Sequence, residues 1–182
     1  YGRFHNNIWY KLTLNGYKSN ITNSSEFENE VSSGVTDVYY NEIACIAIKD
    51  DGNGFKKICG YWGSSTTGNP KDSTNGIRNH SGVLDVTLLD SNIKEIFVHR
   101  TAFFILKNDN KLYGWGELMR TTKIDTAKLA TLTDVLSINF TKNACAVLKT
   151  NGEVITWGTD TYGGDKGHST YGVRNTSGNV QE

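Results

Sequence analysis

The chain has 182 residues, with 19 lysines and arginines against 19 aspartates and glutamates, so its formal net charge is zero. That balance excludes the broad basic footprint of a nucleic-acid binder, and no apolar run approaches the roughly 18–20 residues of a membrane span. Aromatic residues at 11% and 19 glycines beside a single proline speak against a helix bundle or a disordered tail, and for short strands joined by Gly, Asn, Asp and Ser turns.

The first segment, 1–34, is the least regular. Ile8-Trp9-Tyr10-Lys11-Leu12-Thr13-Leu14 followed by Asn15-Gly16 predicts a strand ending in a tight turn, and Asn20–Ser33 a polar, acidic surface loop with Phe27 as an anchor. Terminal repeats are often atypical, so this segment is expected to be a degraded or capping copy of the more regular sequence beyond it. Tyr1 in place of Met predicts that processing or truncation has removed preceding sequence.

From Val35 a pattern sets in and is written three times. Ala44–Gly63 reads ACIAIKDDGNGFKKICGYWG, Ala102–Gly116 reads AFFILKNDNKLYGWG, and Ala144–Gly158 reads ACAVLKTNGEVITWG. Each is an apolar strand, a turn, and a β-rich strand closed by Trp-Gly (Trp62, Trp115, Trp157). An apolar pair stands nine residues before each alanine: Val35 with Val38, Ile93 with Ile96, Val135 with Ile138. Lysine recurs at positions 49, 107 and 149. Self-similarity at a period of roughly 40–60 residues marks a repeat architecture. The expected fold is all-β: a partial propeller or a propeller-like stack of short antiparallel sheets, with copies at 35–92, 93–134 and 135–182.

Between the copies the text varies. After Trp62-Gly63 comes a turn-rich loop with Pro70, then Ser73–Leu84 (STNGIRNHSGVL), which matches STYGVRNTSGNV from Ser169; the first and third copies thus look like products of a two-repeat duplication. The second copy continues as ELMRTTKIDTAKLATLTDV, in which Asp125–Thr131 has room for one helical turn.

The joint order of V-x-x-(V/I), A-x-x-x-L-K-x-(N/D)-G and W-G resembles the regulator-of-chromosome-condensation repeat family, most clearly at Ala144–Gly158 with Tyr162-Gly163-Gly164-Asp165 in place of that family's glycine-rich turn. The resemblance covers roughly Val35 to Glu182 and implies a β-propeller of four-stranded antiparallel blades. The chain departs from it in lacking the family's Gly-His before the apolar strand, where NFTKNA and FVHRTA stand instead. Three or four repeats are also too few for that family's seven-blade ring. Either further chain or another subunit completes the ring, or the repeats pack in a different, open arrangement. The founding member's GTPase-exchange role has no counterpart residues here.

A residue repeated in every copy is expected to build the copy. Ala44, Ala102, Ala144, Trp62, Trp115 and Trp157 are therefore read as structural positions, and Arg78-Asn79 and Arg174-Asn175 as partners of loop carbonyls. Cys45 and Cys145 share one slot as small hydrophobes, and Cys59 leaves an odd count that argues against a disulfide framework. Asp50-Asp51-Gly52-Asn53-Gly54 resembles a calcium loop superficially, but the twelfth position from Asp51 is Trp62 rather than Glu. Gly163–Thr170 lacks the lysine that a phosphate loop carries after its second glycine. His5, His80, His99 and His168 show no ligand spacing, and no G-x-S-x-G occurs. The sequons at Asn20, Asn23, Asn79, Asn139 and Asn175 follow from composition.

Function is expected where the copies disagree: the insertion with Asn53, Phe55, Lys56, Lys57 and Tyr61, then His99 and Arg100, then Leu118, Met119 and Arg120. Loops on a rigid scaffold carry binding, and Arg, Tyr and Met are favoured at interfaces. The expectation is a non-enzymatic module that presents loops to a protein partner or to itself, with no cofactor, metal, nucleic acid or membrane insertion. The alternative is a structural component of an appendage, fibre or particle, and a glycan-binding or enzymatic domain comes third. A secreted, surface or particle setting is favoured over the cytoplasm.

Overall fold

A computed structural model describes residues 32–63, 68–119, 122–123 and 132–159. The predicted strand Ile8–Gly16, the helical turn Asp125–Thr131, Arg120, Tyr162–Asp165, His168 and Arg174-Asn175 lie outside the described residues, as do the side chains of Leu118, Met119 and Trp157.

The described residues are all-β and antiparallel, with one 3-10 turn at Val86–Leu89. Three-stranded meanders form from β1 (Asp37–Tyr40), β2 (Ala44–Asp50) and β3 (Lys56–Gly63), from β4 (Ile93–His99), β5 (Ala102–Lys107) and β6 (Leu112–Met119), and from β8 (Val135–Phe140), β9 (Ala144–Lys149) and β10 (Val154–Gly158). The two-residue β7 (Thr122–Lys123) pairs with β6, and β3 touches β4 through the pair Lys56–Ile93 alone.

The repeats read from the sequence are repeats of register. In each meander the alanine stands opposite the Trp-Gly glycine: Ala44 with Gly63, Ala102 with Gly116, Ala144 with Gly158. All three alanines are buried and all three glycines have positive φ. A Cβ on Gly63 would fall 2.5 Å from Ala44 Cα and against the Ile43 carbonyl, and one on Gly158 would fall 2.5 Å from Ala144 Cα and against the Asn143 carbonyl. Neither strand could carry more at this point and still pair.

The V-x-x-V spacing has its own cause. Inward residues of a regular strand are two apart, so a spacing of three requires one extra residue. Register shifts at Ile93/Glu95 in β4 and Val135/Ser137 in β8 supply it. Both members of these two pairs therefore stay buried, Ile93 with Ile96 and Val135 with Ile138, whereas Val35 and Val38 of the first copy are half-buried and β1, which begins at Asp37, has no such shift.

The central strands β2 and β5 are apolar on both faces because both faces are buried. Phe103 and Ile105 of β5 pack with Ala44, Ile46 and Ile48 of β2 in one cluster; their neighbours Ala102, Phe104 and Leu106 pack with Val135, Cys145 and Val147 in a second. A third cluster, Ala47 and Cys59 with Val35 and Trp62, lies on the other face of the first meander. The meanders thus stack face to face, and each fully buried Ile, Leu or Phe contributes about 1.5–3 kcal/mol.

Candidate binding loops

At one end of the first meander the insertion forms the β2–β3 turn, and a single carboxylate organises it. Asp51 Oδ1 accepts the N–H groups of Asn53 (2.8 Å) and Phe55 (3.2 Å), while Oδ2 accepts the N–H of Asn92 (2.8 Å) at the entrance to β4. Asp50 accepts the Gly52 N–H at 2.6 Å. Hydrogen bonds from Asn92 first, then Asn53 and Phe55, hold the Asp51 carboxyl below its usual range. The oxygens that suggested a calcium loop are thus engaged by backbone. Among the described residues no group of three or more His, Cys, Asp or Glu is placed to hold a metal ion.

In this turn Asn53 is exposed and Phe55, Lys56 and Lys57 are half-buried. Lys57 stands directly opposite Lys49 in the ladder, a like-charge pairing that costs stability. The equivalent lysines are engaged: Lys107 Nζ donates to the carbonyls of Leu88 (2.7 Å) and Ser91, and Lys149 pairs with Glu153 at 3.3 Å. Burial pushes the Lys107 ammonium below its ordinary value.

The opposite end of the meanders carries the β1–β2, β4–β5 and β8–β9 turns, about 20 Å away along a seven-residue strand. One position repeats here as Asn41, His99 and Thr141, three residues before each alanine. Asn41 Oδ1 accepts the N–H groups of Ile43 (3.0 Å) and Ala44 (2.9 Å), and its Nδ2 donates to the Ala102 carbonyl of the next meander at 3.4 Å. His99 is only 4% exposed. Its Nδ1 accepts the Thr101 N–H at 3.4 Å, which leaves the proton on Nε2 to donate to the Lys142 carbonyl of the third meander at 3.2 Å. Its ring lies 5.4 Å from that of Phe140. Burial lowers the pKa of His99, and Arg100 lowers it further. Arg100 ties the first two meanders: its carbonyl accepts the Glu42 N–H at 3.2 Å and its Nε meets Glu42 Oε2 at 2.7 Å. Both side chains of that pair are substantially exposed, so it contributes little.

On the flank, Arg78 donates to the Gly82 carbonyl at 3.0 Å and to the Ser73 carbonyl, whereas Asn79 Oδ1 accepts the N–H groups of Ser81 (3.0 Å) and Val83 (3.1 Å) and so does not serve a carbonyl there. His80 lies 3.3 Å from the Leu112 carbonyl and 4.7 Å from the Tyr113 ring. Tyr61 packs against the first cluster with Lys71 Nζ 5.9 Å above its ring. Trp115 is fully buried and stacks on Phe103 at 5.2 Å, and Trp62 is half-buried.

The candidate residues therefore do not form one surface. Asn53, Phe55, Lys56 and Lys57 share one end; Arg100 lies at the other, toward which β3 carries Tyr61 and β6 carries the backbone of Leu118 and Met119, while His99 is inside a junction between meanders. Sequence reasoning missed Asp51 as the organiser and the Asn41–His99–Thr141 position. It also missed a set just before each V-x-x-(V/I) pair: Gly34, Asn92 and Asp134 all have positive φ. That last set was detectable, because Gly, Asn and Asp are the residues that tolerate a left-handed backbone.

No family model matches this chain, and no curated protein matches it. Among solved structures it is similar to human WBSCR16 (16% identity, TM-score 0.37, covering 71% of this chain and 34% of that one). It is also similar to the C-terminal domain of gp131 from bacteriophage phiKZ (12%, 0.44, 81% and 41%). A third likeness is to a structure of Kap60 bound to yeast RCC1 (Prp20) (17%, 0.39, 69% and 32%). The chain spans well under half the length of each. No helix among the described residues is long and apolar enough to cross a membrane.

Proposed function

We propose that the chain is a non-enzymatic scaffold that presents the β2–β3 insertion to a protein partner. The observation behind this reading is a division of labour. Repeated side chains are spent on register and stacking, while Asn53 sits in a β2–β3 turn longer than the matching turns of the other two copies, with Lys56 and Lys57 at the start of β3 beside it. Asp51 fixes the turn's backbone without using these side chains, so the loop meets a partner with part of its ordering cost already met. A photo-reactive residue introduced at position 53, with exposed Leu136 as the control position, tests it. Cross-links concentrated at 53, and lost in Lys56→Gln/Lys57→Gln with the far-ultraviolet dichroism spectrum unchanged, support the reading. Equal yields at both positions refute it.

A second reading, a component of a larger assembly, draws on the third apolar cluster. Ala47, Cys59 and Trp62 give the first meander packing on its far face as well, as suits a unit in a longer series. Light scattering behind size exclusion decides: a concentration-independent monomer opposes this alternative.

A further inference from the structure

The chain holds four Asn-Gly steps, at Asn15, Asn53, Asn75 and Asn151, and the last three lie among the described residues. At such a step the chain can react with itself, because a glycine nitrogen, unhindered by a neighbouring Cβ, can reach the side-chain carbonyl carbon of the asparagine before it. The reaction needs that N–H free and the asparagine amide able to turn toward it.

The three steps differ in both respects. The Gly76 N–H donates to the Asp72 carbonyl at 2.9 Å, and Asn75 Oδ1 is buried. The Gly152 N–H donates to the Lys149 carbonyl at 3.0 Å, and Asn151 Oδ1 is occupied by the Glu153 N–H at 2.9 Å. At the remaining step, Asn53 is exposed, and among the described residues neither its side-chain amide nor the Gly54 N–H has a hydrogen-bond partner. Nothing lies within 4 Å of where a Gly54 Cβ would stand. The carboxylate of Asp51 binds the N–H groups on either side, those of Asn53 and Phe55, and passes over that of Gly54.

We propose that Asn53 is a site of self-catalysed deamidation in the folded protein. The Gly54 nitrogen bonds to Asn53 Cγ and gives up its proton to solvent; the side-chain nitrogen leaves as ammonia, closing a cyclic imide. Water then opens the ring at either carbonyl, leaving aspartate or isoaspartate at position 53. The net change is amide plus water to carboxylate plus ammonium, with nothing oxidised or reduced. The new carboxylate joins Asp50 and Asp51 beside Lys56 and Lys57. The isoaspartate form also lengthens the backbone inside the turn that Asp51 holds.

The proposal is independent of the partner reading, and its test needs no partner. Native protein is held in mildly alkaline buffer beside urea-unfolded protein, and both are sampled by peptide mapping with mass spectrometry. In the native sample the Asn53 peptide should gain about one mass unit roughly tenfold faster than the Asn151 peptide, which must first open its turn. In urea the rates at Asn53, Asn75 and Asn151 should converge, and Asn53→Gln should remove the fast native phase. A native Asn53 rate no greater than that of Asn151, or a rate order that urea leaves unchanged, overturns the proposal.

Discussion

The glycine that faces each repeat's alanine can be tested where it stands. Gly63 faces Ala44 with φ 141, and any Cβ there meets backbone rather than a side chain that could move. Gly63→Ala should therefore cost about 2–4 kcal/mol by urea denaturation, combining backbone strain with overpacking. Gly52, with φ 88 but open space around it, should lose only about 1–2 kcal/mol on the same substitution. His99 makes a different prediction. Burial disfavours its charged form, so the unfolded chain takes up a proton at about pH 6.5 while the folded one does not. Its contribution should be complete above that pH and should fall away as the pH drops toward the depressed folded value. Urea midpoints measured across this window should slope for the parent protein. They should flatten for His99→Asn, which places Asn41's residue type in the matching slot and keeps an acceptor for the Thr101 N–H.

At the scale of elements, the chain spelled out more than its strands. The three-residue step from Ile93 to Ile96 and from Val135 to Ile138 already implied a bulge, since a regular strand would have turned one of each pair to solvent. The left-handed residue before each V-x-x-(V/I) pair was equally visible as Gly34, Asn92 and Asp134. Asp134→Gly should accordingly be near neutral, whereas Asp134→Val should cost about 1–2 kcal/mol, read as a shift in thermal midpoint. Asp51 and His99 could not be read in this way. The carboxylate of Asp51 collects N–H groups from residues 53, 55 and 92, and His99 spans to residue 142. Such convergence depends on where distant turns meet, and no local pattern encodes it. The same reason explains why residues 53–57 and 99–100, grouped by their divergence from the repeat, sit at opposite ends of the strands.

For the described stack as a whole, cooperativity follows from β5. Phe103 belongs to the cluster shared with the first meander and Phe104 to the cluster shared with the third. Phe103→Ala and Phe104→Ala should each cost about 3–5 kcal/mol, although they loosen different junctions. If the three meanders fold as one unit, both variants should keep a single transition in which far-ultraviolet dichroism and tryptophan fluorescence coincide. Separate transitions for the two probes would mean that the meanders melt in turn, as in long repeat arrays.

The alternation along β5 also bears on how such a chain can grow. The middle unit carries both a socket for its predecessor and a plug for its successor, written into neighbouring letters of one strand. A gene segment copied in tandem would therefore encode a newcomer that already fits on either side. Lengthening the molecule asks for recombination before it asks for any new contact, and the end loops are left free to diverge afterwards.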